Sequence, residues 1–522
     1  MTPAPYYEVF RALTPEAMLV AAAFVALTLD LASLRRAEQA TRNRTLGTVA
    51  ILGLLASIVP LWGQMSEPPL ALLGGTLVVN ELTAIFNLVI VWLTLMTALI
   101  SIDFDLGRHV GEYFATLLFG AIGMMLLVST EELVTIFVAL ELTSICLYIL
   151  TAFQKSTLRS QEAALKYFMF GAISSAFLLF GLSYIYGLTG TTNAREIGQA
   201  LQANGSGALM AVGLLFVIVG FGFKVAIVPF HLWAPDAYEG APTPVTAFIA
   251  TGSKVASFFV LTKLIMLGFP AMAGTAAFYG FSVARQGSVV ERLVQTWHSF
   301  CSSFHFSSGW TMLLAVTAAL SMILGNCVAI VQHNVKRLLA YSSIAHAGYI
   351  FVGLVAATAM GATSVLFYII VYGLTNLGAF GVVAALSRRT GSDEIESFDG
   401  MARRAPFLSL LMLVFLLSLA GIPPLGGFFG KFFLFAAAVQ HDAQNFGLLW
   451  LVILGIVMSA VSLYYYLIIL KHIYVLEPKA NERIVTPTFL NVGLGLVALA
   501  VIGLGVWPDA ILELLKGLVA QL

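Results

Sequence analysis

Apolar residues run along this chain in long unbroken blocks, with polar residues gathered in short intervals between them. A bilayer core takes about 20 consecutive apolar residues to cross. Stretches of that kind fall at 14–34, 45–63, 82–102, 112–129, 132–153, 163–187, 206–230, 242–265, 309–331, 337–357, 362–387, 405–439, 446–471 and 488–507. The pattern predicts an all-α polytopic membrane protein with 14 transmembrane helices. The block at 405–439 is longer than one crossing needs and is counted as a single broken helix. Residues 508–522 read as a short amphipathic tail. The N-terminus lacks the basic cluster and cleavage-like site of a signal peptide, so the first block is expected to stay as a span.

Two spans are interrupted at mid-depth. In the seventh, Pro229 removes a backbone donor shortly after Lys224. In the twelfth, Pro423 and Pro424 do the same, followed by Gly426, Gly427 and then Lys431. Unwound backbone at membrane depth survives only where protein or a wet cavity covers it. Paired interruptions in corresponding parts of two halves point to an inverted repeat. Spans 4–8 and 9–13 are the candidate halves, since an odd number of spans makes the second copy enter from the opposite side. The expected organisation is an N-terminal three-helix segment (1–111), a first inverted repeat (112–265), an outer-face insertion (266–308), a second inverted repeat (309–474), and a last span with its tail (475–522). Each five-helix repeat contains one broken helix. YGLTG at 186–190 and YGLTN at 372–376 form a weak echo between the halves.

Composition narrows the function. Hydrophobic residues make up 60% of the 522 and charged residues 10%, which leaves no sizeable water-soluble domain. A formal net charge of zero gives nucleic-acid binding no electrostatic support. Cys146, Cys301 and Cys327 are far apart and make no CxxC, iron–sulfur or haem spacing, so no redox centre is expected on this chain. The histidines match no metal-site spacing. With the odd-numbered loops inside, 17 loop Lys and Arg residues face inward and 5 outward. The positive-inside rule then places both termini on the outer face.

Against that background the charges inside the spans carry the chemistry. Lys224, Lys254 and Lys431 sit deep in apolar runs, where a charge costs about 2.5–3.5 kcal/mol even on lenient scales and is tolerated chiefly facing protein or water. Burial and neighbouring charges set how tightly such an ammonium holds its proton. Glu141, in ELTSICLY of span 5, is the natural partner of Lys224, either as a proton-handling pair or as a static buried ion pair. His346, in AYSSIAHAGYIF, is a relay or a neutral packing histidine. His231 and Asp236 are placed at the inner end of span 7, as an entry funnel or as caps of a Pro-rich loop. Lys166, at the inner start of span 6, is an anchor or a relay. Lys263, near the end of span 8, is expected to snorkel to a headgroup. His333, Lys336 and Arg337 read as an ordinary inner loop. Within the insertion, SVVERLVQTWHSF is expected to lie as an amphipathic interfacial helix.

The segments FKVAIVPFHLWAPDAYEGAPTPVTAFIATGSK, LGNCVAIVQHNVKRLLAYSSIAHAGYI and LAGIPPLGGFFGKFFLF closely resemble the antiporter-like, proton-pumping subunits of respiratory complex I, the NADH:quinone oxidoreductase. Within that family the lysines of TGSK and GGFFGK resemble the N type, called subunit 2 in mitochondria and chloroplasts. The resemblance covers spans 4–13, weakens over spans 1–3 and the last span, and fails over 268–308. It implies that Glu141 and Lys224 form the first half-channel pair, that Lys254 bridges and that Lys431 serves the exit. It also implies proton movement coupled to quinone reduction elsewhere, with NADH, flavin, iron–sulfur clusters and quinone in other subunits and no cofactor here. Other membrane subunits, antiporter-like ones included, and lipids would be its partners, in a bacterial plasma membrane before a thylakoid or mitochondrial one. The alternatives are a cation/proton antiporter subunit of a related complex and a non-pumping structural subunit.

Overall fold

The computed structural model describes residues 6–205, 207–273, 310–441, 447–478 and 483–521. In chain order its helices are α1 (Tyr6–Ala12), α2 (Thr14–Ala32), α3 (Gln39–Gln64), α4 (Glu81–Ile102), α5 (Val110–Val128), α6 (Leu133–Thr151), α7 (Leu158–Thr189), α8 (Ala194–Asn204), α9 (Ala208–Val225), α10 (Trp233–Gly240), α11 (Thr243–Phe248) and α12 (Lys254–Gly268). Then follow α13 (Trp310–Ala329), α14 (Val335–Val355), α15 (Ala359–Thr390), α16 (Met401–Arg404), α17 (Pro406–Ala420), α18 (Gly426–His441), α19 (Leu449–Tyr474), α20 (Thr488–Val506) and α21 (Pro508–Val519). Among the described residues, 13 helices are long and apolar enough to cross a membrane, counting Thr243–Gly268 as one, and α17 and α18 are shorter apolar helices. The protein is therefore helical and multi-pass. An antiparallel hairpin, Leu70–Leu72 with Leu77–Val79, departs from the all-α expectation. The stretch 274–309, with the helix expected in SVVERLVQTWHSF, lies outside the described residues.

The bundle has a clear inside. The apolar windows of Thr243–Gly268 and α15 are wholly buried and that of α14 nearly so, whereas α2, α3 and α19 bury only a third of theirs. Helices α12, α14 and α15 are thus wrapped by the others, and a polar group within their buried windows has only protein or internal water to meet.

Local chemistry fixes the ends. The Asn80 side chain accepts from Thr83 N at the start of α4, and the Asn193 side chain accepts from Arg195 N and Glu196 N at the start of α8, using donors that a helix start leaves unpaired. Helices α7 and α15 are both 32 residues long, and each ends on a left-handed glycine, Gly190 (φ 73°) and Gly391 (φ 70°), the backbone region that glycine enters without steric cost. After these glycines the chain returns to a preceding helix start in the same way. Leu133 N donates to Thr192 O and Val335 N to Asp393 O, both at 2.8 Å. Gly190 therefore matches Gly391. The sequence echo does not follow this register: YGLTG ends α7, whereas YGLTN lies in the middle of α15.

Both interruptions are present. Helix α9 stops at Val225, with Ala226 left-handed (φ 59°), and α10 begins at Trp233. Helix α17 stops at Ala420, with Gly421 left-handed (φ 86°), and α18 begins at Gly426. The lysines do not occupy matching places. Lys224 is in the last turn before its break, and Lys431 is in the second turn after its own. A third irregularity had no expectation: Ile249–Ser253 forms a π-helical turn immediately before Lys254.

Candidate functional site

Helix α6 presents Glu141 and Ser144 three residues apart, hence on one face. Lys224 reaches both. Its ammonium donates to Ser144 Oγ at 2.5 Å and lies 3.9 Å from Glu141 Oε1, and Glu141 in turn accepts from Ser175 Oγ at 2.5 Å. Lys224 is buried, while the Glu141 side chain keeps 28% of its exposure. The pair is thus an ammonium in the interior held to a carboxylate at the edge of the bundle.

Lys254 leaves the π-turn pointing at α14. It donates to both the carbonyl and the hydroxyl of Ser343 at 2.9 Å, with the Tyr372 ring 5.9 Å away. Helix α14 places Ser342, His346 and Tyr349 at i, i+4 and i+7, again one face. Ser342 Oγ and Tyr466 OH share a hydrogen bond of 2.5 Å, Tyr466 OH is 3.2 Å from His346 Nε2, and Tyr368 OH is 2.5 Å from His346 Nδ1. His346 is therefore held on both ring nitrogens by tyrosine hydroxyls, in a buried row whose first member, Ser342, is the chain neighbour of the Ser343 that holds Lys254.

Lys431 closes the row. Its ammonium donates to Leu419 O (2.9 Å), Ala420 O (3.1 Å) and Ser459 Oγ (2.8 Å), and lies 4.8 Å from the centre of the Tyr349 ring. Leu419 O and Ala420 O are end carbonyls of α17, which the helix itself leaves unpaired. A cation there also meets the negative end of the helix dipole. A cavity of about 620 Å³, walled mostly by apolar side chains such as Phe428, Phe432 and Ile456, opens beside Lys431 and Ser459.

His231, Asp236 and Lys166, read from sequence as an entry funnel, loop caps, an anchor or a relay, do not form one group. Asp236 on α10 is bound by Lys166 Nζ (2.8 Å) and Arg337 Nη1 (2.7 Å), Arg337 also binds Glu239 (3.0 Å), and Glu239 is 3.3 Å from Arg159. This is a chain of alternating charges between α7, α10 and α14. His231 stands apart from it, buried in the break between α9 and α10. Among the described residues, no ion pair or hydrogen bond joins His231 to Asp236.

Two lysines were misjudged from position along the chain. Lys263 does not snorkel. It is buried and donates to Val128 O, the last carbonyl of α5, at 3.0 Å. Helix α8 packs across α12 and closes the way to the headgroups. Lys336 is not an open loop residue either. It is buried, donates to Ala241 O (3.0 Å) and pairs with Asp393 (3.1 Å). Tyr368 and Tyr466, the partners of His346, were missed, because tyrosine in an apolar run gives no sign of which hydroxyls will meet.

Such a bundle, with two broken helices and ammonium groups buried in its interior, defines a multi-pass membrane protein that carries charges at its core. The family described as NADH:quinone oxidoreductase/Mrp antiporter, TM, matches residues 130–288 and 293–462. A relative from Acidobacterium capsulatum, "NADH-quinone oxidoreductase subunit N 2", is 44% identical over 99% of this chain and all of its own length. "NAD(P)H-quinone oxidoreductase subunit 2" of Thermosynechococcus vestitus is 40% identical over 90% of this chain and 83% of that protein. A chain of respiratory complex I from Thermus thermophilus is similar with a TM-score of 0.75 and 31% identity, over 96% of this chain and 98% of that one. A chain of the Mrp complex from Dietzia shares the fold, with a TM-score of 0.77 at 19% identity over 98% of this chain and 97% of that one. The chain belongs to the NADH:quinone oxidoreductase/Mrp antiporter membrane family, and its curated relatives carry the name subunit N or subunit 2.

Proposed function

We propose that this chain is the antiporter-like N subunit of a complex I-type NAD(P)H:quinone oxidoreductase and carries protons along its buried charges. It has no redox chemistry of its own. NADH, flavin, iron–sulfur clusters and quinone belong to other subunits, and quinone reduction there drives the charge movement here. In this reading α17 and α18 are the two parts of a fourteenth span. Residues 112–265 and 309–474 are inverted five-helix repeats, and both termini face outward from a bacterial plasma membrane. Neighbouring membrane subunits, other antiporter-like ones among them, and lipids surround it.

A proton enters from the inner side past Lys166 or His231 and loads Lys224, with Glu141 as counter-charge. When a neighbouring subunit draws Glu141 away, Lys224 releases the proton. It then passes on water to Lys254, along the Ser342–Tyr466–His346–Tyr368 row, and to Lys431 for release outside. The observation that carries this reading is the buried hydrogen-bonded set Ser342–Tyr466–His346–Tyr368, which has Lys254, held by the neighbouring Ser343, at one side and Lys431, over the Tyr349 ring, at the other. A structural subunit has no need of such a set, because each lysine could be satisfied by local carbonyls.

The test is Lys254→Ala in the assembled complex, with proton pumping followed in inverted membrane vesicles as quinone is reduced. Pumping should fall at least about tenfold, which is ~1.4 kcal/mol of barrier. Undiminished pumping would leave the row without a role. Quinone-independent, sodium-dependent transport by the purified chain would instead favour a cation exchanger.

A further inference from the structure

A second group of titratable side chains lies away from the row just described. His472, near the end of α19, has its Nδ1 2.5 Å from Asp399 Oδ1, and its side chain keeps 20% of its exposure. It lines a cavity of about 670 Å³ shared with the exposed residues His333, Glu394 and Glu396. Two half-buried apolar residues, Ile330 just past the end of α13 and Ile468 on α19, form part of the cavity wall. One helical turn further along those same two helices sit Asn326 and Tyr465, and Tyr465 OH donates to Asn326 Oδ1 at 3.0 Å. Asn326 Nδ2 donates onward to Tyr349 OH at 3.1 Å, the tyrosine whose ring lies beneath Lys431. Ile330 and Ile468 thus lie one helical turn from Asn326 and Tyr465, which belong to the polar network under Lys431.

We propose that this cavity is a second inner-face proton port, in which His472 and Asp399 pass protons through a dry gate of Ile330 and Ile468 to the half of the chain that holds Lys431. The proposal rests on the relay reading above. A carboxylate only accepts, so Nδ1 carries the hydrogen toward Asp399 and Nε2 is the basic atom. Nε2 takes a proton from water in the cavity, and Asp399 stabilises the imidazolium. When the isoleucines part and water enters, Nε2 returns the proton to that water on the deep side. One proton is moved and no other bond changes. Asn326 carries no proton. It is a positioning residue that holds the Tyr465 and Tyr349 hydroxyls in line. Among the described residues, the titratable groups that share this cavity or touch His472 are Asp399, His333, Glu394 and Glu396.

The bland function of the dyad would be to tie the 395–400 turn to α19, where Gly400 N already donates to His472 O at 2.9 Å. Three variants of the assembled complex in native membrane vesicles separate the two roles, with quinone reduction in uncoupled membranes as the assembly control. His472→Gln can still donate to Asp399 but cannot carry a proton. His472→Ala removes both functions and opens room for a small base. Ile468→Phe thickens the gate without touching the dyad. All three should lower pumping at least about threefold, a small part of what a positioned acid–base group can contribute. About 20 mM imidazole should restore His472→Ala, and among methylated imidazoles the rescue should follow the protonated fraction near neutral pH. Wild-type pumping in any of the three overturns the port. So does a loss in His472→Ala that no imidazole repairs. Normal pumping in the His472 variants beside lost pumping in Lys431→Ala sinks the port and leaves the relay standing. Normal pumping in both sinks the relay itself.

Discussion

Lys224→Arg should cut proton pumping at least about tenfold while the complex still assembles. Arginine keeps the positive charge beside Glu141 and can still donate to Ser144 Oγ, but it does not give up its proton at any physiological pH. A static ion pair survives that exchange and a proton site does not. Lys224→Ala should be equally impaired, with the added penalty of an unpaired carboxylate. At the observed 3.9 Å the attraction is about 4 kcal/mol for an effective dielectric of about 20. Drawing Glu141 away therefore removes an attraction several times larger than thermal energy. The expected fall in pumping is at least about tenfold for both variants, ~1.4 kcal/mol, read as vesicle acidification per quinone reduced. Pumping retained by Lys224→Arg would show that the pair only holds helices together.

Gly427→Ala should be nearly as damaging, for a reason of space. A methyl group at that position would sit 1.9 Å from the Ser418 carbonyl oxygen, a backbone atom that cannot swing aside. The start of α18 would have to move away from α17. Lys431, four residues on, would be pulled from Leu419 O and Ala420 O. Overpacking of this kind costs about 1–3 kcal/mol. The complex should lose thermal stability by that amount, and pumping should fall at least about tenfold. A variant that is less stable but pumps normally would separate the capping of α17 from the transport step.

Much of this arrangement is legible in the amino-acid order. Long apolar runs have no alternative to crossing the bilayer as helices, so the spans could be placed within a few residues. Proline and glycine at 229 and 423–427 act on their own backbone, so the breaks could be read locally as well. Lys224, Lys254 and Lys431 stood out because they lie far from any run end. What could not be read depends on partners distant along the chain. The hydroxyls of Tyr368 and Tyr466 meet His346 across helices with no shared spacing. Lys263 and Lys336 lie close to run ends, where a free path to water is the default, and only the packing of α8 over α12 and of α10 against α14 removes that path. Asp236 was assigned to the same task as His231 because five residues separate them. The turn from break to helix sends one into the core and the other into the ion chain.

Lys431 completes a circuit that begins in the peptide backbone. Its ammonium balances the partial negative charge on the last carbonyls of α17, an interaction worth about 0.3–1 kcal/mol at a surface and up to ~2 kcal/mol when partly buried. On the relay reading, each departing proton would strip that helix end of its counter-ion, and the snapped helix would act as an electrical spring that favours refilling of the empty site.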